Sequence, residues 1–263
     1  MSLYFIKIGG SIITDTSKPS TPKLQEIERL VDEIKAGSEG HRVLVGHGSG
    51  SFGHVAVHKY NLENGLKEGA AYNAAVAHSI THELHNLIKR VMLEHGMPML
   101  SFMPSASAYA YNGKIVSWNI DPIKKALENG FVPLVGGDIL MDGAKGVHIA
   151  STEEIFAYLA PQLKPDKVIV AGDIDGIFDS DPKLNPNARL IRHIDSMNID
   201  SALKGAGPSL KIDVTGGART KLEFLYNISK SYGSTCYAIN GNVPGRLRDA
   251  LKGIDVIGTE IKA

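Results

Sequence analysis

The sequence predicts an α/β protein, a three-layer α/β/α sandwich with a mainly parallel central sheet. Short apolar runs with strand character recur along the 263 residues, and the segments between them carry apolar residues at helical spacing. Strands separated by helices of this length favour a parallel sheet that is covered on both faces. The chain contains neither an internal repeat nor a low-complexity linker, so we expect one domain with two lobes, about 1–150 and about 151–263.

The first third of the chain shows the alternation most clearly. An apolar run at residues 3–8 ends at a glycine pair, and residues 24–34 repeat apolar side chains at helical spacing. A second strand is predicted at 43–45, and a second glycine-rich turn follows it at 46–54. The same arrangement, a strand that feeds a glycine turn, therefore occurs twice.

The rest of the chain continues the pattern. The predicted elements are a helix at 70–94, a strand at 99–103, a hairpin around Asn112-Gly113, a helix at 123–127, a strand at 132–135, a turn at Asp142-Gly143, a helix at 153–159, a strand at 167–171, a helix near 220–231, a strand around Cys236 and a helix at 244–251.

Bulk composition excludes several classes of partner. The 28 basic and 28 acidic residues balance, so the chain has no global field for holding nucleic acid or an anionic membrane. Cys236 is the only cysteine and lies in an apolar run, which excludes a disulfide framework and indicates a buried strand residue. We expect no metal site, and a cytoplasmic location because no signal-like segment opens the chain.

The two glycine turns are suited to phosphate. Loops beyond the carboxyl ends of parallel strands project free N–H groups, and glycine lets a ligand approach the backbone closely. Gly9 and Gly10 follow the first strand, with Lys7 nearby, and Gly48 and Gly50 follow the second. Each turn alone is weak support, since such turns are often purely structural and neither matches the Walker or the dinucleotide fingerprint.

Two later segments add to the set. Residues 213–221 join a threonine, two glycines and Lys221 at a helix entrance, which suits a transferring phosphoryl group, although a capped surface helix gives the same pattern. Residues 171–178 end a strand with acidic and glycine residues suited to a nucleotide, although an Asp-Gly turn explains them as well.

Four motifs, in their order along the chain, resemble those of the amino acid kinase superfamily. They are KxGGS at 7–11, GxGSFGH at 48–54, GDxDGxF at 172–178 and DVTGGxxxK at 213–221. The resemblance spans essentially the whole chain. Within the superfamily, three segments are similar to those of archaeal isopentenyl phosphate kinases. They are the histidine-bearing loop that ends at His54, the tripeptide at 104–106 and the run 213–217.

The resemblance implies one amino acid kinase domain, with an N-terminal acceptor lobe and a C-terminal nucleotide lobe. It implies direct in-line transfer from ATP, with Mg²⁺ carried by ATP, to a small-molecule phosphate acceptor, isopentenyl phosphate, in a homodimer. Since the acceptor oxygen is already ionised, no general base is needed, and His54 is expected to bind the acceptor phosphate.

The implied site residues fall into three overlapping groups. The nucleotide-binding residues are Lys7, Gly9, Gly10, Ser11, Gly50, Asp173, Gly176, Thr215, Gly216, Gly217 and Lys221. The acceptor-binding residues are Gly48, Ser49, His54 and Gly137, and the catalytic residues are Lys7, His54, Lys221 and Lys18.

Three departures from the family pattern qualify the assignment. Lysine usually follows the aspartate of the first loop directly, whereas here Lys18 is displaced by two positions after Asp15. The family's Ser-Gly-Asp-Asp is replaced by residues 151–154, in which Glu153 is expected to organise the lysines. Glycines stand at 136–137, where the family frequently has a bulkier or hydroxyl residue. The alternatives are a sister kinase for a phosphonate, an amino acid or uridylate, and a nucleotide sensor without catalysis.

Overall fold

The computed structural model describes residues 1–182, 184–206 and 217–263. The predicted nucleotide-binding residues Thr215 and Gly216, together with Asp213, lie outside the described residues.

Twelve strands and nine α-helices make up the described part of the chain. The strands are β1 (Leu3–Ile8), β2 (Arg42–His47), β3 (Met99–Ser101), β4 (Tyr109–Ala110), β5 (Ile115–Ser117), β6 (Val132–Gly136), β7 (Asp138–Asp142), β8 (Gly146–Ala150), β9 (Lys167–Gly172), β10 (His193–Ile194), β11 (Thr235–Asn240) and β12 (Gly258–Ile261). The helices are α1 (Gly10–Ile13), α2 (Leu24–Gly37), α3 (Gly50–Lys59), α4 (Ala71–Glu94), α5 (Asp121–Glu128), α6 (Thr152–Leu163), α7 (Ile199–Gly205), α8 (Ala218–Tyr232) and α9 (Arg246–Leu251), and a 3-10 turn spans Pro104–Ala106.

The central sheet has eight strands in the order β10-β12-β11-β9-β1-β2-β6-β3. Within it, β11 and β12 pair antiparallel, and the other neighbouring pairs are parallel. The prediction of a mainly parallel sheet is therefore confirmed. The sheet runs through both predicted lobes, because β1 pairs with β2 on one side and with β9 on the other.

Strand β1 explains why the sheet is covered on both faces. All six of its residues are buried, as its nearly continuous apolar sequence predicts. Successive side chains point to opposite faces, and Phe5 packs in one apolar cluster with Phe156, whereas Ile6 packs in another with Leu84. The two clusters, one on each side of the sheet, confirm the three-layer sandwich.

Strand register sets the position of the site. Ile8 at the end of β1 lies level with His47 of β2 and with Ala171 of β9. Because parallel strands end at the same edge, the segments that follow β1, β2 and β9 meet there. The second sheet, in the order β5-β4-β7-β8, brings the β7–β8 hairpin to the neighbourhood of this edge, with its turn at the predicted Asp142-Gly143.

The structure corrects several local predictions. Residues 46–54 were expected to form a glycine turn, but α3 begins at Gly50, because Ser49 and Gly50 make a tight entry into a helix that carries apolar residues farther along. The strand predicted at 99–103 ends at Ser101. Strands β10 and β12, helix α7 and the 3-10 turn were not predicted, since each is too short to show a period.

No helix in the described ranges combines the length and the apolar character that a membrane crossing requires.

Candidate active site

Backbone hydrogen bonds align the segments at the ends of the central strands. The N–H groups of Gly9, Gly48 and Gly137 donate to carbonyls at the ends of neighbouring strands, at 2.8, 2.9 and 3.2 Å. These bonds hold the turns after β1, β2 and β6 side by side. The sequence had indicated a glycine turn at the site only after β1 and β2.

The first two turns contact each other through their glycines. A Cβ atom on Gly10 would lie 2.3 Å from the backbone nitrogen of Gly50. Gly50 itself has φ of +48°, and a Cβ there would lie 2.2 Å from Oγ1 of Thr14. Close approach of the two loops therefore requires glycine at both positions, independently of any ligand.

The start of α3 places two predicted acceptor residues. Ser49 is the N-cap of this helix, and a Cβ on Gly53 would lie only 2.0 Å from the Ser49 hydroxyl oxygen. Glycine at 53 thus makes room for the serine side chain. His54 follows in the same turn, half-buried, and lines a cavity at the strand ends.

A buried ion pair forms the floor of that cavity. Nζ of Lys7 on β1 contacts Oε1 of Glu153 in the first turn of α6, and the two side chains are 7% and 9% exposed. Ser151 caps α6 by accepting a hydrogen bond from the N–H of Glu154, which fixes the helix start. The other carboxylate oxygen, Glu153 Oε2, is buried without a hydrogen-bond partner among the described residues. The pair holds an ammonium group in place and offers one more acceptor atom.

The cavity has two chemically distinct parts. Its polar lining includes Lys7 and all four predicted acceptor-binding residues, Gly48, Ser49, His54 and Gly137. Its apolar lining comes from Val57 of α3, Ile139 of β7 and Ile149 of β8. The described lining contains no residue of the hairpin around Asn112-Gly113, and its apolar wall includes residues of the β7–β8 hairpin.

A pair of buried histidines supports the wall behind the second turn. Nε2 of His47 lies 2.9 Å from Nδ1 of His85, whose Nε2 lies 2.6 Å from the hydroxyl of Ser101. Burial lowers the pKa of His47 to about 4 and that of His85 to about 3, so both rings are neutral at pH 7. Sequence reasoning missed both, since an isolated histidine in an apolar strand or helix carries no distinctive signal.

Asp138 is a further cavity residue that the sequence analysis did not assign a role. Burial favours the protonated form of its carboxyl, but hydrogen bonds from His82 and Ser105 outweigh that effect and hold its pKa below the ordinary value. The carboxylate is thus ionised at the cavity wall. Its position directly after the Gly136-Gly137 pair at a strand end was the signal that could have identified it.

The predicted nucleotide residues gather around the end of β9. A Cβ on Gly172 would lie 3.5 Å from Nζ of Lys221, so the lysine of α8 reaches this strand end. Gly217 is the N-cap of α8, and Asp173 is exposed beside Gly172. Gly176 differs from the others, because a Cβ there would lie 2.5 Å from Oγ1 of Thr259, and this packing explains the glycine without a ligand.

Two predicted residues of the first loop lie apart from the cavity lining. Lys18 is 70% exposed, with Nζ 3.9 Å from a carboxylate oxygen of Asp15. The described lining of the cavity includes neither Lys18 nor Ser11, whose carbonyl accepts a hydrogen bond from Lys23. A part for Lys18 in transfer therefore stays a prediction from the family resemblance.

Comparison with known proteins places this arrangement in context. The model of the amino acid kinase family matches residues 2–240. The chain is 34% identical to isopentenyl phosphate kinase of Thermoplasma acidophilum, over 99% of this chain and 100% of that protein. It is 31% identical to the isopentenyl phosphate kinase of Methanothermobacter thermautotrophicus, over 98% of each. A crystal structure of an isopentenyl phosphate kinase substrate complex superposes with a TM-score of 0.79, at 32% identity, over 98% of this chain and 100% of that one.

Proposed function

Because the chain belongs to the amino acid kinase family, we propose that it transfers the γ-phosphoryl group of ATP to isopentenyl phosphate, forming isopentenyl diphosphate and ADP. One observation carries the choice of acceptor: the cavity joins a polar end, with Lys7 and His54, to an apolar wall of Val57, Ile139 and Ile149. A small phosphate ester with a short hydrocarbon tail matches both parts. The relatives named isopentenyl phosphate kinase match essentially the full chain, which supports the same acceptor.

The polar end of the cavity suits a phosphate monoester. His54 and the backbone around Gly48 and Gly137 line this end, and an imidazolium donates charge-assisted hydrogen bonds to phosphate oxygens. An ionised oxygen of the acceptor attacks the γ-phosphorus of ATP, and the bond from that phosphorus to the β,γ-bridging oxygen breaks. The electron pair leaves with ADP, so no side chain has to remove a proton.

In this proposal, two lysines neutralise charge on the transferred group. Lys7 lines the cavity floor. Lys221 lies beside Gly172 at the end of β9, on the side where the nucleotide is predicted to bind. An ammonium about 4 Å from a phosphate charge contributes roughly 4 kcal/mol at an effective dielectric near 20. Glu153 acts as a positioning residue, since it holds Lys7 in a buried ion pair.

A divalent ion enters the proposal as the Mg²⁺ that ATP carries on its own phosphates. In the described lining of the cavity, the Glu153 carboxylate is already paired with Lys7. When bound, such an ion would neutralise part of the negative charge of the ATP phosphates. Homodimerisation and a cytoplasmic location remain predictions from the family resemblance.

An acceptor panel tests the proposal. The purified protein is mixed with Mg-ATP and, separately, isopentenyl phosphate, dimethylallyl phosphate, fosfomycin, UMP or glutamate, and ADP release and product mass are measured. We expect kcat/KM to be highest for isopentenyl phosphate. Preference for fosfomycin would support the phosphonate kinase, and ATP binding without turnover of any acceptor would support the sensor.

Replacement of His54 tests the assignment of the acceptor end. The variant His54→Ala should fold as the parent does and lose at least about 100-fold in kcat/KM for isopentenyl phosphate, because a charged hydrogen bond to the acceptor is lost. His58→Ala, one turn farther along α3 with a side chain 88% exposed, is the matched control. Near-normal kinetics of His54→Ala would remove His54 from the site.

A further inference from the structure

A cluster of two histidines and an aspartate lies on the outer side of the cavity wall. His78, His82 and Asp138 each offer one ligand atom, and these atoms lie within 4.8 Å of one another. We propose that this cluster binds a first-row divalent transition-metal ion, with Zn²⁺ the best fit. The cluster shares only Asp138 with the described cavity lining, and the proposal does not depend on which acceptor the enzyme phosphorylates.

The spacing of the histidines provides the first argument. His78 and His82 are four residues apart on α4, so their rings lie on one face of the helix, with centroids 3.9 Å apart. Two histidines at this spacing are a recurrent way for a helix to supply two imidazole ligands to one ion. The pair therefore needs only a third ligand from another element.

Asp138 of β7 supplies that ligand at a suitable distance. Its Oδ1 atom lies 3.1 Å from Nε2 of His82 and 3.6 Å from Nε2 of His78. Ligand bonds of about 2.0–2.1 Å in a tetrahedral site put neighbouring ligand atoms about 3.3–3.4 Å apart. The two separations from Oδ1 lie on either side of this value, and all three ligand atoms lie within 4.8 Å of one another.

Neighbouring groups hold the aspartate in position. The backbone N–H of Ser105 donates to Oδ2 at 2.8 Å, and the N–H of Ile139 donates to Oδ1 at 2.8 Å. The Ser105 hydroxyl lies 3.0 Å from Nε2 of His78, where it can serve as a fourth ligand or as a partner for a bound water. Such outer contacts orient ligands and strengthen metal sites.

The donor set selects the class of ion. Two imidazole nitrogens and one carboxylate favour Zn²⁺ and its first-row neighbours, whereas Mg²⁺ and Ca²⁺ prefer oxygen ligands throughout. The Asp138 side chain is fully buried, but His78 and His82 are 36% and 26% exposed, which gives an ion a path from solvent. A bound ion would fasten α4 to β7 beside the cavity.

Cobalt provides a direct test with the whole protein. The chelator-treated enzyme is titrated with Co²⁺ and followed by visible d–d absorption, and Zn²⁺ is then added as competitor. We expect one equivalent of Co²⁺ to bind saturably and Zn²⁺ to displace it. Absence of a saturable d–d band, or a band that excess Zn²⁺ leaves unchanged, would overturn the proposal.

Variants assign the ligands. His78→Gln and His82→Gln should each weaken Co²⁺ binding by more than tenfold while the far-UV circular dichroism spectrum stays that of the parent. The control is His95→Gln, which removes a histidine paired with an aspartate at 2.6 Å but outside the cluster, and Co²⁺ affinity should then be unchanged. Zn²⁺ should raise the Tm of the parent and of His95→Gln more than the Tm of His78→Gln and of His82→Gln. Equal Co²⁺ affinity in the parent and in both cluster variants would refute the assignment.

Discussion

The turns after β1 and β2 differ from the end of β9 in how they use glycine. Between the first two turns, glycine is needed because backbone meets backbone, with a Gly10 Cβ only 2.3 Å from a nitrogen of Gly50. At the end of β9, the only atom of the described residues within 4 Å of a Gly172 Cβ would be the Lys221 ammonium nitrogen, at the ordinary distance of 3.5 Å. The two turns form a closed, packed half of the site, and among the described residues the end of β9 forms the more open half. We therefore expect changes in the closed half to reduce stability as well as activity.

Acidification should give the largest effect, through the buried histidines behind the closed half. His47 and His85 have a pKa near 4 and near 3 in the folded protein, against 6.5 when unfolded. A lowered folded pKa means that the unfolded state binds more protons, so the stability contribution is complete above pH 6.5 and is lost as pH falls toward 4. Between pH 7 and 5 the free energy of unfolding should fall by roughly 4 kcal/mol for the two groups.

Urea unfolding at several pH values measures this loss. His85→Gln should remove about half of the pH-dependent part, whereas His58→Gln, with an exposed ring, should leave it unchanged. A pH dependence that is the same in the parent and in His85→Gln would contradict the prediction.

The buried ion pair under the closed half should give the next largest effect. Glu153→Gln leaves the Lys7 ammonium buried beside a neutral amide, and removal of one partner of a buried pair costs about 3 kcal/mol or more of stability. Its neighbour gives a matched control, since Glu154 is 28% exposed and accepts from His148 at 2.7 Å. Glu154→Gln should cost about 1 kcal/mol. Equal losses in the two variants, measured by urea unfolding, would show that Glu153 is not in a desolvated pair.

Replacing one glycine by alanine in each half tests the difference in glycine packing. Gly10→Ala forces the two turns apart and should cost about 2 kcal/mol of stability and reduce kcat/KM sharply. Gly172→Ala meets no atom of residues 1–182, 184–206 and 217–263 closer than 3.5 Å and should change stability by less than about 0.5 kcal/mol. If both variants unfold at the parent's urea concentration, the two halves do not differ in the proposed way.

Lys18 should give the smallest effect. Its side chain is 70% exposed and its Nζ atom lies 3.9 Å from a carboxylate oxygen of Asp15, so solvent screens the ion pair and its contribution to stability is small. Lys18→Ala should change kcat/KM by less than about threefold. A hundredfold loss in steady-state assays would instead restore the catalytic role that the family resemblance implies for Lys18.

The sequence predicted the fold well because its signals are local and periodic. Apolar runs gave the central strands, including β1 and β9, and glycine after a strand marked the turns at the site. The four residues that the family resemblance predicts to bind the acceptor line one cavity. Short elements without a full period, such as β10 and α7, gave no comparable signal.

By itself, the sequence determined which segments become strands and helices and which glycine turns carry the family's motifs, because period and motif act over a few residues. The tertiary structure decided which of these meet. Lys7 and Glu153 are 146 residues apart in the chain, and strand register together with the start of α6 brings their charges into one buried pair. The closed character of the first two turns and the His78, His82 and Asp138 cluster likewise depend on packing between elements, which no local pattern encodes.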